Sequence, residues 1–216
     1  MRRGWCRRML AALLVLAAGI GPLMAEDRDA SITHFRSHAL AEIANPAGPD
    51  QGLTAMAVEV RLILLQNPLS PGDVAEFGAL ARGLPGALPA NRALILDVLT
   101  QMLNAARDPQ SAELPAQDRK AALGAALALA SEGETDSRDA ALRYLRETGD
   151  RAAIGPAIAA IHEGASTTRL EAAFVLHDHA KGPEAARIRV TITRADPGED
   201  ADLLRLFAAI LALGPE

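Results

Sequence analysis

The sequence is poor in the side chains that make covalent staples and stacking surfaces: among its 216 residues there is one cysteine, one tryptophan, one tyrosine and four phenylalanines. The cysteine, Cys6, lies in an apolar N-terminal leader. The chain beyond it therefore has no disulfide, no thiol nucleophile and no Cys-ligated metal, and an apolar core must hold it together. After the leader the only aromatic residues are Phe35, Phe77, Tyr144, Phe174 and Phe207. That scarcity argues against a glycan cleft or a single-strand stacking platform, both of which need exposed ring faces. Basic charge is also short, with 22 Lys and Arg against 27 Asp and Glu. No Gly-x-Ser-x-Gly elbow, phosphate-binding loop or dinucleotide fingerprint occurs, so the expectation is a non-enzymatic protein without a cofactor.

What is present begins with the leader. Arg2, Arg3, Arg7 and Arg8 precede an uncharged run from Met9 to Ile20, which Gly21-Pro22 breaks. Leu23-Met24-Ala25 then ends on a small residue ahead of Glu26-Asp27. This order predicts a secretory signal peptide over 1–25 and a periplasmic or secreted product of a bacterial envelope. The run is short for a permanent span, so no stable membrane segment is expected after cleavage; an uncleaved anchor is the alternative. Arg7-Arg8 hints at a twin-arginine route, but its flanks fit poorly and ordinary secretion is favoured. Cleavage would remove four basic residues and no acid, leaving 18 against 27, a balance of −9. Such a surface repels phosphate backbones, which argues against a nucleic-acid partner.

Apolar residues recur at spacings of three and four, the period of helices with one buried face. Ser31 is expected to cap a helix with Ile32, Phe35, Ala39, Leu40 and Ile43 inward, and a second runs from Leu53 to Gln66 on Met56, Val60, Ile63 and Leu64. Ser70, Pro71 and Asp73 read as N-cap, first turn and dipole partner of a third helix, with Val74, Phe77, Leu80 and Ala81 buried. Asn91 is expected to cap a fourth, carrying Leu94, Ile95, Val98, Leu99, Met102 and Leu103. A loop from Asp108 to Pro115 follows, and then an alanine-rich helix from Ala116 to Ser131 with Leu123 and Leu127 on one face. These signals predict an all-α fold of stacked helical hairpins, an α-solenoid or a less regular array. The organisation expected is an N-terminal helical region over 26–110 and C-terminal repeats over 111–216, although a continuous array is equally permitted. Residues 187–193 alternate as a strand would, yet a helix placing Ala185, Ile188, Ile192 and Ala195 on one face is favoured.

The last eighty residues carry a repeat. Arg138, Arg169 and Arg205 each open an Arg-x-x-Ala stretch, 31 and then 36 residues apart, followed by apolar helix. Between the first two, Asp150 reads as a cap, Pro156 restarts a turn, and Ile154, Ile158 and Ile161 form a buried face. Gly164 is expected to close that helix left-handed, and Ser166 to cap the next. Through Gly149-Asp150, Ile154, Pro156, Ile158, Ile161, Arg169, Ala172, Ala173 and Leu176 the chain resembles HEAT-like repeats of the phycobilisome-lyase type, over Asp136 to Gly214. The resemblance implies helix pairs stacked side by side, a role for the repeated arginines in joining neighbouring units, and a protein-interaction scaffold. It gives no ground for lyase activity.

Two histidine groups are the candidates for chemistry. His34 and His38 stand four apart, on one helical face; zinc or copper there would need a third ligand. In a stacked-hairpin arrangement His162 and His177 could approach across a helix pair. Both groups compete with a plain reading as solvated helix surface. Two functions follow: an exported scaffold or adaptor that binds a protein or peptide, and a small metal- or ligand-binding periplasmic protein using these histidines. The sequence fixes no oligomeric state.

Overall fold

The computed structural model describes residues 28–43, 45 and 49–213. The leader falls outside them. Every regular element among the described residues is helical. Helix α1 covers 28–42. It is followed by α2 (Gln51–Gln66), α3 (Pro71–Gly83), α4 (Pro89–Ala105), α5 (Ala116–Glu132), α6 (Thr135–Thr148), α7 (Ile154–Glu163), α8 (Ser166–His179), α9 (Ala185–Arg194) and α10 (Ala201–Ala212). None of the described helices is long and apolar enough to cross a membrane.

The helices stack in two layers. In one, α2, α4, α6, α8 and α10 pack in succession; in the other, α3, α5, α7 and α9 do the same. The layers join within hairpins, most extensively α5 with α6 and α7 with α8. Helix α1 belongs beside α3 and α2: Arg36 pairs with Glu76 of α3 at 2.5 Å, and Ser31 donates to Glu59 of α2 at 2.6 Å. One buried apolar cluster runs from Ile32 to Ile210, passing without a break through both sides of residue 110. At the ends of the stack apolar side chains remain exposed: Val58, Leu62 and Leu65 on α2, Leu204 and Leu211 on α10.

Several helix boundaries follow the expected chemistry. Ser70 accepts from the Asp73 N–H at 3.1 Å and Asp73 accepts from the Ser70 N–H at 2.7 Å, a reciprocal cap that satisfies two otherwise orphaned donors. Asp73 also pairs with Arg28, whose guanidinium donates to the Pro68 carbonyl, so this cap ties α1 to the α2–α3 turn. Val74, Phe77, Leu80 and Ala81 are all buried. Residues 187–193 lie inside α9, with Ile188 and Ile192 buried and Val190 exposed. The alternating pattern yields to the helical one because the layer offers α9 a single face against α7 and α10.

Other boundaries differ from expectation. Ser31 sits within α1, which already runs at residue 28, so its hydroxyl faces α2 instead of capping. Asn91 likewise lies inside α4, two residues past Pro89, whose ring suits the first turn. Its buried amide donates to the carbonyls of Glu42 and Asn45, closing α1 from a neighbouring helix. Gly164 ends α7 in an extended conformation, φ −78°, and Ala165 stands at the N-cap of α8, which leaves Ser166 to bond Asp200. The left-handed closure occurs at Gly149 instead, φ 63°, where α6 turns into the Asp150-capped 3-10 turn Arg151–Ala153. On α5 the core face is made by Ala122, Ala125, Ala126, Leu129 and Ala130; Leu123 and Leu127 are only half-buried. Small side chains win that face because a helix packed against α3, α6 and α7 must approach all three closely.

A displacement of 31 residues superposes local chemistry. Gly133 and Gly164 each end a helix, and a Cβ there would stand 2.5 Å from the Leu129 carbonyl oxygen and 2.6 Å from that of Ala160. Five residues on, Arg138 Nε donates to Ala130 O at 3.2 Å and Arg169 Nε to Ile161 O at 3.0 Å, so each arginine closes the helix before its own. Arg169 also reaches the Asp196 carbonyl in the next connection. Arg205 breaks the pattern: it is exposed and pairs with Asp202 at 3.1 Å. The six residues between α9 and α10, against two between α7 and α8, move it away from the preceding helix end.

Candidate functional site

The histidines are placed first by their helices. On α1 the rings of His34 and His38 meet edge to face with centroids 6.4 Å apart. His38 Nε2 lies 3.3 Å from Oδ2 of Asp50, the N-cap of α2. The Leu53 N–H that Asp50 accepts, aided by the charge and hydrogen bond of His38, holds its carboxyl below the ordinary aspartate range. His38 thus braces a helix cap.

His162 and His177 do not meet. The two-residue connection Gly164-Ala165 folds α8 back along α7, so the end of α7 lies against the start of α8. His177 is eleven residues further on, about 16 Å along the axis at the helical rise. The expected approach fails on that antiparallel geometry; His177 instead turns to Asp178 at 3.3 Å, and His162 is exposed. Among the described residues no group of three or more His, Cys, Asp or Glu side chains is placed to hold a metal ion.

A concave feature of the fold lies elsewhere. A cleft of about 700 Å³ opens where the end of α4, the first turns of α5 and the end of α6 converge. That volume suits a small molecule or a few residues of peptide. Its rim is fixed by Arg107, which pairs with the Glu147 carboxylate at 2.6 Å and donates to the Glu147 carbonyl at 3.3 Å. The left-handed turn at Gly149 brings Asp150 into the cleft lining, where its carboxylate caps the Ala152 N–H. Leu103, Leu114 and Leu123 supply an apolar lining.

Tyr144 forms part of the cleft wall and is 2% exposed. Burial pushes its phenol up to about 12, against the opposing charge of Arg119. The hydroxyl is a neutral donor at any physiological pH. Among the described residues, neither that hydroxyl, nor the Arg119 guanidinium, nor the Lys120 ammonium has a hydrogen-bond or ion-pair partner. No side chain caps the first turn of α5, because Pro115 occupies the N-cap. Sequence reasoning singled out none of these. The one signal was the isolation of the only tyrosine, set in a helix whose other buried apolar positions are alanine and leucine.

The outer face of the even layer is chemically different. Arg143 of α6 bridges Asp97 of α4 at 3.0 Å and Glu171 of α8 at 3.3 Å, and Arg146 pairs with Asp178 while lying 4.5 Å from the Phe174 ring centroid. Burial opposes the Arg143 charge, but its two carboxylates prevail and hold it more firmly protonated than usual. These charges are satisfied and join helix to helix; the cleft's donors are not. The chain matches no family model, no curated protein and no solved structure, so its site is read from this geometry alone.

Proposed function

We propose that the chain is an exported, HEAT-like helical-repeat scaffold that binds a peptide or protein partner in the cell envelope, with the cleft between α4, α5 and α6 as a contact site. The observation that carries the reading is that open cleft, lined by leucines and by donors without partners, at a junction between stacked hairpins. Grooves between stacked helical units are the usual place where such arrays take up extended or helical segments. The 31-residue recurrence of Gly133 and Gly164, and of the helix-closing contacts of Arg138 and Arg169, supports the repeat character. The basic and apolar order of residues 2–20 supports export.

The test places a photo-crosslinking side chain at Lys120, in the cleft, and at Arg194, at the end of α9, in the producing cell. A partner adduct is expected from position 120 and not from 194, on a mature chain that begins at Glu26. Equal labelling from both positions, or a product retained inside the cell with residues 1–25 attached, overturns the reading.

A further inference from the structure

We propose that the cleft between α4, α5 and α6 recognises a carboxylate borne on an apolar body, held by Arg119, Lys120 and the Tyr144 hydroxyl. The argument is one of unmatched groups. Within the cleft most polar atoms already have partners: Glu147 takes Arg107, Asp150 takes the Ala152 N–H, and the Thr148 hydroxyl donates to the Leu145 carbonyl at 2.6 Å. The remainder is lopsided. Among the described residues Arg119, Lys120 and Tyr144 are donors without a partner, whereas Glu113, exposed, is the one lining carboxylate left over. Tyr144 is 2% exposed, and its hydroxyl has no hydrogen-bond partner among the described residues. The hydroxyl is not among the sealed, unpartnered polar atoms of the core, so it keeps some accessible surface, and Tyr144 lines the cleft.

The complement of two cations and a neutral O–H donor is an anionic acceptor. Arg119 offers a planar fork that matches the two oxygens of a carboxylate, and the phenol supplies a third donor. The first turn of α5 has no side-chain cap, and Ala116 of that turn lines the cleft. Leu103, Leu114 and Leu123 beside these donors set the rest of the ligand as apolar. Two sources carry this chemistry: the free C-terminus of a peptide ending in an apolar residue, and a small free carboxylic acid. The first rests on the scaffold reading above; the second does not.

The experiment is calorimetric titration of the purified protein with three probes: an N-acetylated tetrapeptide ending in leucine, the same peptide as its C-terminal amide, and octanoate. The acid peptide is expected to bind at least ten-fold more tightly than the amide. Arg119→Met and Tyr144→Phe are each expected to weaken the acid about ten-fold and to leave the amide unchanged. Should octanoate bind with the same dependence while no peptide does, the carboxylate site stands and the scaffold reading falls. Equal binding of acid and amide leaves the scaffold reading intact and overturns the carboxylate site. Absence of any Arg119-dependent binding up to millimolar acid also overturns it, and Arg119, being exposed, tests this without risk to folding.

Discussion

Thr168 is 1% exposed, and its hydroxyl donates at 2.5 Å to the carboxylate of Asp139, itself 7% exposed, across the α6–α8 contact. Thr168→Val keeps the shape and removes the donor, leaving a buried carboxylate short of a partner. The expected loss is about 1–3 kcal/mol in denaturant unfolding, with partial recovery in the double variant that also carries Asp139→Ala, because the cost lies in the orphaned acceptor. A neighbouring carboxylate has the opposite balance. Burial raises the Glu171 carboxyl above its ordinary range and Asp139 adds to the rise, so Arg143 only partly offsets the cost of ionising it. A carboxyl raised by folding weakens the fold when ionised. The penalty is therefore present at neutral pH and fades as pH falls through the raised value towards that of the unfolded chain. Glu171→Gln is expected to abolish that acid-side gain, and Arg143→Met to move the Glu171 titration higher still, as followed by carbon NMR of its carboxyl.

At the scale of the element, the packing of each hairpin turns on whether backbones may touch. Gly164→Ala drives a Cβ to 2.6 Å from the Ala160 carbonyl and 3.0 Å from the Thr168 Cβ, and Gly133→Ala repeats the clash at Leu129. Each is expected to cost about 1–3 kcal/mol, the range of overpacked sites. Gly155→Ala, where an added methyl meets nothing within 4 Å, should leave the melting temperature nearly unchanged. Such contacts mark the limit of what the sequence reveals. Periodicity locates the helices, and the α3 cap is legible because Ser70, Pro71 and Asp73 act on their immediate neighbours. Ser31, Asn91 and Ser166 defeat the same reading because each bonds to a distant element: Glu59, Glu42 with Asn45, and Asp200. Ile158, expected to point fully inward, is half-buried, while Ala157 and Ala160 take the closest positions beside Ile154 and Ile161. The cleft was illegible for a related reason: Arg119 and Lys120 stand on α5 and Tyr144 on α6, and only the packing of the two helices lines one cleft with all three.

For the whole molecule, the two-layer order makes stability depend on position in the stack. Helix α6 packs on α4, α5 and α8, whereas α10 has only α8 and α9, with Leu204 and Leu211 left on its open side. Leu142 on α6 and Leu203 on α10 are equally buried, so burial alone assigns equal damage to their truncation. The stack assigns different damage. Leu142→Ala opens a cavity in the helix that packs on α4, α5 and α8, and the expected loss of about 2–5 kcal/mol falls on the single global transition. Leu203→Ala weakens only the last hairpin, which can open while the rest stays folded, because each unit of such an array contacts its neighbours alone. Hydrogen exchange distinguishes the two. In the Leu203 variant, amides of α9 and α10 should exchange faster while those of α4 and α6 keep their protection; in the Leu142 variant all should speed together. Uniform acceleration in both variants would mean that the chain folds as one cooperative block.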